Sequence, residues 1–87
     1  MTKTVIISKS GGPEVLELKE FKLKSPDPNE VLIEHKAIGL NFIDTYHRSG
    51  LYPIDLPSGI GAEAAGVIVE IGDQVHDFKV GDRVSYA

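Results

Sequence analysis

The strongest strand signal in the chain is the run Gly66-Val67-Ile68-Val69-Glu70-Ile71-Gly72. Its β-branched side chains have restricted χ1 rotamers and pack well on a pleated surface, so they favour extended backbone. A glycine at each end is a common strand boundary. We therefore predict a strand here and expect a β-rich fold around it.

Three segments on the amino-terminal side also have the composition of strands. Residues 4–8 are short and β-branched, and residues 15–21 alternate apolar and polar side chains, which predicts a half-buried antiparallel strand. Residues 30–40 predict a longer strand, in which Gly39 indicates a bulge or a close backbone approach. The side chains predicted to share one face of that strand are Val31, Ile33 and His35.

Predicted turns and loops separate these segments. They are residues 11–13, 26–29, 51–57, 73–77 and 80–84, the last of which leads into a further strand. Five or six short strands at roughly ten-residue spacing indicate a small antiparallel barrel or sandwich.

One segment, residues 41–49, has a helical period instead. Polar residues recur at i, i+3, i+4 and i+7, and apolar residues occupy the opposite side, which predicts a short amphipathic helix that stops at Gly50. The polar residues are Asn41, Asp44, Thr45 and Arg48, and the apolar ones are Phe42, Ile43 and Tyr46.

Composition excludes several classes of function. The 87 residues contain 9 basic and 13 acidic side chains, a net charge of −4, which argues against nucleic-acid binding. No apolar run approaches the roughly 20 residues of a membrane helix. The chain has no cysteine, so it forms no disulfide, no thiolate nucleophile and no cysteine-ligated zinc site.

Two candidate motifs are better explained as structure. Residues 59–64 match the letters of a dinucleotide fingerprint, but prolines precede them and a β-branched run follows, so we predict a turn that leads into a strand. The histidines, His35, His47 and His76, lack the spacing of a zinc site. An Asp44–His47 pair is possible one helical turn apart, although a surface pair is the commoner explanation.

Two features leave alternatives open. The polar face of the predicted helix, with the phenols of Tyr46 and Tyr52 nearby, carries groups that orient a carbonyl by hydrogen bonding, but it is also what a solvated helix face contains. Glu63 is either exposed at a turn or buried with a hydrogen-bonding or cationic partner.

Four motifs resemble one known family in their order along the chain. They are residues 12–17, 39–53, 61–69 and 80–84. Over essentially all 87 residues the chain resembles the amino-terminal part of quinone oxidoreductases of the zeta-crystallin type, within the medium-chain dehydrogenase/reductase superfamily.

This resemblance implies a mostly β fold: a GroES-like, partly open antiparallel β-barrel with one short helix, incomplete in this chain. Residues 1–87 would be the amino-terminal part of the catalytic domain, and a Rossmann domain absent from this chain would bind most of the NADPH. It also implies a cytoplasmic enzyme, a homodimer at full length, and no activity for these 87 residues alone.

The resemblance further implies a zinc-free site, because related alcohol dehydrogenases have a cysteine ligand where Asn41 stands and a Gly-His-Glu motif where Gly61-Ala62-Glu63 stands. Glu63 is assigned to structure. Hydrogen bonds to the accepting carbonyl would come from Asn41, Tyr46 and Tyr52. The residues implied to border the cofactor are Asn41, Phe42, Ile43, Asp44, Thr45 and Tyr46.

The expected reaction is hydride transfer from NADPH to a quinone. Two alternatives remain: an NADPH-dependent enone or alkene reductase of the same superfamily, and a non-enzymatic GroES-like binding module. The choice between NADPH and NADH and the natural electron acceptor stay open at this point.

Overall fold

A computed structural model of the chain, which describes residues 2–87, contains six strands, one α-helix and one short 3-10 helix. In chain order they are β1 (Thr2–Ile7), the 3-10 helix (Pro13–Val15), β2 (Glu17–Phe21), β3 (Val31–Ile38), α1 (Phe42–Ser49), β4 (Ser58–Gly59), β5 (Ala64–Ile71) and β6 (Arg83–Tyr86). The mostly β class with one short helix is confirmed.

The chain divides into two compact units. The first contains the described residues up to Leu23 together with Leu40–Ala62, and the second contains Lys24–Gly39 and Glu63–Ala87. Each unit has its own open, three-stranded antiparallel sheet, with strand order β2-β1-β4 in the first and β3-β5-β6 in the second.

The first unit is packed around Ile7 and Val15, which are almost completely buried. Val15 lies in the 3-10 helix, and β2 begins only at Glu17. The predicted half-buried strand over residues 15–21 is therefore wrong in its start and in its burial, because all five residues of β2 are exposed. Proline at the first helical position explains the 3-10 turn, since its fixed φ suits a helix start.

The second unit is built around β5, as the strand signal predicts. Ala64, Gly66 and Ile68 are buried and alternate with half-buried neighbours, so one face of the strand forms the core of this sheet. A Cβ at Gly66 would collide with the backbone carbonyl of Glu34 on β3 and with the side chain of Ile33. Glycine is required there because the two strands pair closely.

Strand β3 differs in detail from its prediction. It spans Val31–Ile38 rather than residues 30–40, and its register shifts lie between Leu32 and Ile33 and between His35 and Ala37, not at Gly39. The close approach at Gly39 is confirmed, because a Cβ there would overlap the side chain of Glu63. The shared face is confirmed only for the half-buried Val31 and Ile33, since His35 is exposed.

The segment before β5 is a loop without regular secondary structure at residues 60–63, where a turn is predicted. Gly61 has φ +104°, and the loop is followed by β5 and not by a helix. The rejection of the dinucleotide fingerprint is confirmed, since that motif needs a helix N-terminus facing the phosphates. Within residues 2–87 the structure contains no helix long and apolar enough to cross a bilayer.

The turn before β6 is held by a carboxylate. Asp82 Oδ2 accepts a hydrogen bond from the Lys79 backbone N–H at 3.0 Å, and Asp82 Oδ1 lies 3.0 Å from Lys79 Nζ. The backbone hydrogen bond and the ammonium hold the pKa of the Asp82 carboxyl below its ordinary value.

Candidate functional site

Helix α1 begins with a capping box formed by Asn41 and Asp44. Asp44 Oδ2 accepts a hydrogen bond from the Asn41 backbone N–H at 2.9 Å, and the Asp44 backbone N–H donates to the Asn41 carbonyl oxygen at 3.0 Å and faces the Asn41 side chain. Both amides at the helix start thereby gain acceptors, which fixes the start of α1. The predicted helix is confirmed, with Asn41 as its N-cap.

At the carboxyl-terminal end of α1, two backbone N–H groups donate to the carbonyl oxygen of Tyr46. Gly50 has φ +88°, and its N–H donates to Tyr46 O at 3.1 Å, while the N–H of Tyr52 donates to the same oxygen at 3.2 Å. Gly50 is therefore the left-handed stop that the sequence predicts. The shared acceptor ties the position of Tyr52 to that of Tyr46.

The most buried side chain of α1 is polar, and its apolar side chains are exposed. Asp44 is only 3% exposed, whereas Phe42 is 81% exposed and Ile43 and Tyr46 are also exposed. The solvated-face explanation is wrong for Asp44. Amphipathic helices normally bury the apolar side, so α1 leaves its apolar side available for another molecule or segment.

Tyr46 and Tyr52 form an aromatic pair on this exposed side. Their ring centroids are 5.3 Å apart with an interplanar angle of 77°, an edge-to-face contact. We call the exposed side chains of Phe42, Ile43, Tyr46 and Tyr52 the aromatic surface. It combines apolar area with two phenol hydroxyls, a combination suited to a flat, partly polar ligand.

The Asp44 carboxylate has one oxygen left without a donor. Oδ2 caps the helix, but Oδ1 is buried and receives no hydrogen bond from residues 2–87. The Asp44–His47 surface pair is wrong, because the carboxylate is buried and turned to the helix start. A buried oxygen in this state favours a hydroxyl or an amide donor from a ligand or water.

Thr45 differs from Asp44 in the use of its side chain. Its Oγ1 donates to the backbone carbonyl of Phe42 at 2.6 Å. The hydroxyl hydrogen is therefore engaged within the helix, and the oxygen lone pairs remain as acceptors. All residues predicted from the resemblance to act on substrate or cofactor lie in the first unit, on α1, its N-cap and the loop after it.

Glu63 lies in the second unit and is exposed, so the buried alternative is wrong. The Gly39 N–H donates to Glu63 O at 3.2 Å. Both residues line an open groove of about 590 Å³ in this unit. Among the described residues, no three histidine or acidic side chains are grouped to hold a metal. The zinc-free assignment stays a prediction.

Two contacts that the sequence does not predict join distant residues. In the second unit, Tyr86 Oη and His35 Nε2 are 3.0 Å apart. In the first unit, the Gly11 N–H donates to Arg48 O at 2.9 Å, and Arg48 Nε donates to Gly11 O at 3.2 Å. Gly11 and Arg48 are 37 residues apart, so no local pattern indicates this pairing.

Comparison with known proteins places this geometry in a family context. Residues 27–87 match the family model of the alcohol dehydrogenase GroES-like domain. The chain is 54% identical to the quinone oxidoreductase of Pseudomonas aeruginosa over 88 residues, which cover 100% of the chain and 27% of that protein. It is also 44% identical to the 2-haloacrylate reductase of a Burkholderia species, covering 97% of the chain and 26% of that protein.

The chain is also similar to a solved quinone oxidoreductase structure. The crystal structure of Escherichia coli quinone oxidoreductase complexed with NADPH has a TM-score of 0.93 to this chain at 54% identity, covering 99% of the chain and 27% of that structure. The chain therefore spans about a quarter of the length of the relatives it matches.

Proposed function

The chain belongs to the alcohol dehydrogenase GroES-like domain family, and from that premise we propose that it is the amino-terminal part of a zinc-free, NADPH-dependent quinone oxidoreductase. The observation that carries the proposal is the exposed aromatic surface on α1, beside a buried Asp44 whose Oδ1 receives no hydrogen bond from the described chain. The 54% identity to quinone oxidoreductases over the whole chain supports the same assignment.

The residues on α1 in the first unit have groups that suit the nicotinamide and ribose of NADPH. The lone pairs of Thr45 Oγ1 are acceptors suited to a ribose hydroxyl, and the buried Asp44 carboxylate fixes the helix start next to them. The exposed rings of Phe42 and Tyr46 suit the flat nicotinamide. When bound, NADPH supplies the hydride. We propose that most of its binding surface belongs to a Rossmann domain outside these 87 residues, so that this chain alone has no activity.

The side chains of this unit orient and polarise the acceptor. Asn41, Tyr46 and Tyr52 carry hydrogen-bond donors, an amide and two phenols. Placed at the carbonyl oxygen of a quinone, such donors stabilise the negative charge that develops there. A quinone has a low-lying acceptor orbital, so we propose that hydrogen bonds to its carbonyl oxygen polarise it enough for hydride transfer without a Lewis acid.

Zinc does not fit the residues at its family positions. The backbone N–H and the side chain of Asn41 take part in the capping box of α1, and Ala62 offers only a methyl group. Neither supplies the thiolate or imidazole that zinc prefers. Elemental analysis of the purified full-length protein is expected to find no stoichiometric zinc, and one equivalent per chain would contradict this assignment.

A second candidate function is reduction of an activated alkene, such as an enone. The 44% identity to a 2-haloacrylate reductase favours it. Product analysis separates the two, because a quinone reductase gives a quinol and an alkene reductase a saturated carbonyl compound. A non-enzymatic GroES-like binding module would give neither. The proposed enzyme acts on small molecules in the cytoplasm as a homodimer, with no role in nucleic-acid or membrane binding.

The test uses the full-length protein, with 1,4-benzoquinone as acceptor and NADPH consumption as the readout. Tyr52→Phe removes one phenol and is expected to lower kcat/KM by about tenfold or more, as loss of a charge-stabilising donor does. Tyr86→Phe is the matched control, because Tyr86 is a comparably exposed phenol in the second unit. It is expected to leave kcat/KM unchanged.

Asn41 needs two variants because its side chain also caps α1. Asn41→Ala loses both the cap and the amide, whereas Asn41→Ser keeps a capping oxygen and loses only the amide. Both are expected to lower quinone turnover, but only Asn41→Ala is expected to lower the melting temperature. Unchanged kcat/KM in Tyr52→Phe and in both Asn41 variants would remove these side chains from the mechanism.

A further inference from the structure

The double hydrogen bond between Gly11 and Arg48 joins the amino-terminal loop to the last turn of α1. Gly11 N–H donates to Arg48 O at 2.9 Å, and Arg48 Nε donates to Gly11 O at 3.2 Å in a partly buried position. We call this pair of hydrogen bonds the latch. Ser10 of the same loop also lies close to the helix end, because a Cβ added to Gly50 would be 3.1 Å from Ser10 Oγ.

The latch acts on the turn that carries the two tyrosines. Gly50 N–H and Tyr52 N–H both donate to Tyr46 O, so the end of α1 and the backbone of Tyr52 are joined through one carbonyl oxygen. The rings of Tyr46 and Tyr52 touch edge to face. Whatever fixes the last turn of α1 therefore also constrains the positions of the two backbones that carry these rings.

We propose that Arg48 is a positioning residue, which holds the Tyr46–Tyr52 pair in the geometry that receives the acceptor. This inference rests on the proposed function and adds a residue to it that touches neither substrate nor cofactor. The acting atom is Nε, and the positive charge is secondary. Arg48 forms no ion pair within the described chain, whose salt bridges all involve lysines.

Three substitutions separate the Nε donor from the charge. Arg48→Gln places an amide nitrogen the same number of bonds from Cβ as Nε, so it keeps the donor and loses the charge. Arg48→Lys keeps the charge but has a methylene at that place. Arg48→Met keeps an unbranched side chain but has neither the donor nor the charge. The backbone half of the latch, Gly11 N–H to Arg48 O, is present in all three.

The experiment measures quinone kinetics of the full-length protein together with ¹⁹F NMR of 3-fluorotyrosine at Tyr46 and Tyr52, assigned with Tyr→Phe variants. Arg48→Lys and Arg48→Met are expected to lower kcat/KM by about fivefold, as loss of one hydrogen bond permits. Both are expected to move or broaden the two ¹⁹F resonances. Arg48→Gln is expected to keep kcat/KM within about twofold of the wild type and to keep both resonances.

The outcomes distinguish the possible roles. Loss of activity in Arg48→Gln equal to that in Arg48→Met, with activity kept in Arg48→Lys, would overturn the proposal in favour of a charge effect. If Arg48→Lys and Arg48→Met lower the melting temperature but leave kcat/KM and the ¹⁹F spectra unchanged, Arg48 only stabilises the fold, and the proposal is overturned. If Arg48→Met does not fold, Arg48→Lys supplies the same comparison with Arg48→Gln. If the wild type reduces no quinone, the proposed function fails, and the ¹⁹F spectra still test the latch.

Discussion

Strand β5 and helix α1 follow opposite rules of burial. In β5 the buried residues are the apolar and small ones, Ala64, Gly66 and Ile68. In α1 the one buried residue is the carboxylate Asp44, while Phe42 is largely exposed. The burial of residues in β5 therefore follows from packing within their own sheet. In α1, Asp44 is buried because it caps the helix start, and the apolar side chains form an exposed surface, which is typical of a binding element.

The largest expected effect tests this contrast directly. Ile68→Ala removes a side chain that is only 1% exposed and leaves a cavity, so it is expected to lower the free energy of unfolding by about 3 kcal/mol. Phe42→Ala removes a larger side chain that is 81% exposed, and it is expected to change the same quantity by less than about 0.5 kcal/mol. Equilibrium urea unfolding measures both values.

Equal losses of unfolding free energy in the two variants would contradict the difference between β5 and α1, because they would show that Phe42 contributes to a core as Ile68 does. A small loss in Ile68→Ala would also contradict it, because it would show that Ile68 contributes little to the core of the second unit. The expected result identifies Phe42 as a surface residue whose side chain is available for binding.

A smaller effect is expected at Asp44. Asp44→Ala removes the acceptor for the Asn41 N–H and is expected to lower the free energy of unfolding by about 1 kcal/mol. Asp44→Asn keeps a carbonyl oxygen that can accept the same bond, so its loss is expected to be smaller. Amide hydrogen exchange at Asn41 and thermal unfolding measure the change. Asp55→Ala, at an exposed loop position, is the control, and a loss there as large as in Asp44→Ala would contradict a specific cap.

The smallest effect is expected at the half-buried carboxylate of Asp82. Its pKa is lowered in the folded chain, first by the Lys79 backbone hydrogen bond, so its stabilising contribution is complete above the unfolded pKa of about 4 and is lost as the pH falls below it. Asp82→Asn is therefore expected to flatten the fall of the melting temperature between about pH 4 and pH 2. Lys79→Gln keeps the backbone donor and is expected to retain most of the wild-type slope. An unchanged slope in Asp82→Asn would show that other carboxylates account for the acid sensitivity.

The second unit was easier to predict than the first. The β-branched run of β5 and the turn before β6 have strong local signals, and both were predicted close to their observed bounds. Strand β4, two residues long, has no such signal, and the start of β2 was wrong because proline moved Val15 into a 3-10 helix. Short elements that depend on distant pairing leave little trace in a local pattern.

The candidate site was predicted in part. The helix, its N-cap residue and its glycine stop follow from local spacing, and the resemblance identified the family. Spacing alone could not show that Asp44 is buried or that Gly11 binds Arg48, because both depend on which face of α1 packs within the first unit. The roles of Asn41, Tyr46 and Tyr52 remain predictions for the variants described above.

The sequence by itself determined where the helix and the longer strands occur, since β-branching, glycine, proline and capping residues act through the conformations of near neighbours. It also determined that no cysteine is present for metal or redox chemistry. Only the tertiary structure decided that Asp44, on the polar side of α1, is buried while the aromatic side is exposed. That choice comes from contacts between residues far apart in the chain, and the same amphipathic pattern is compatible with either orientation.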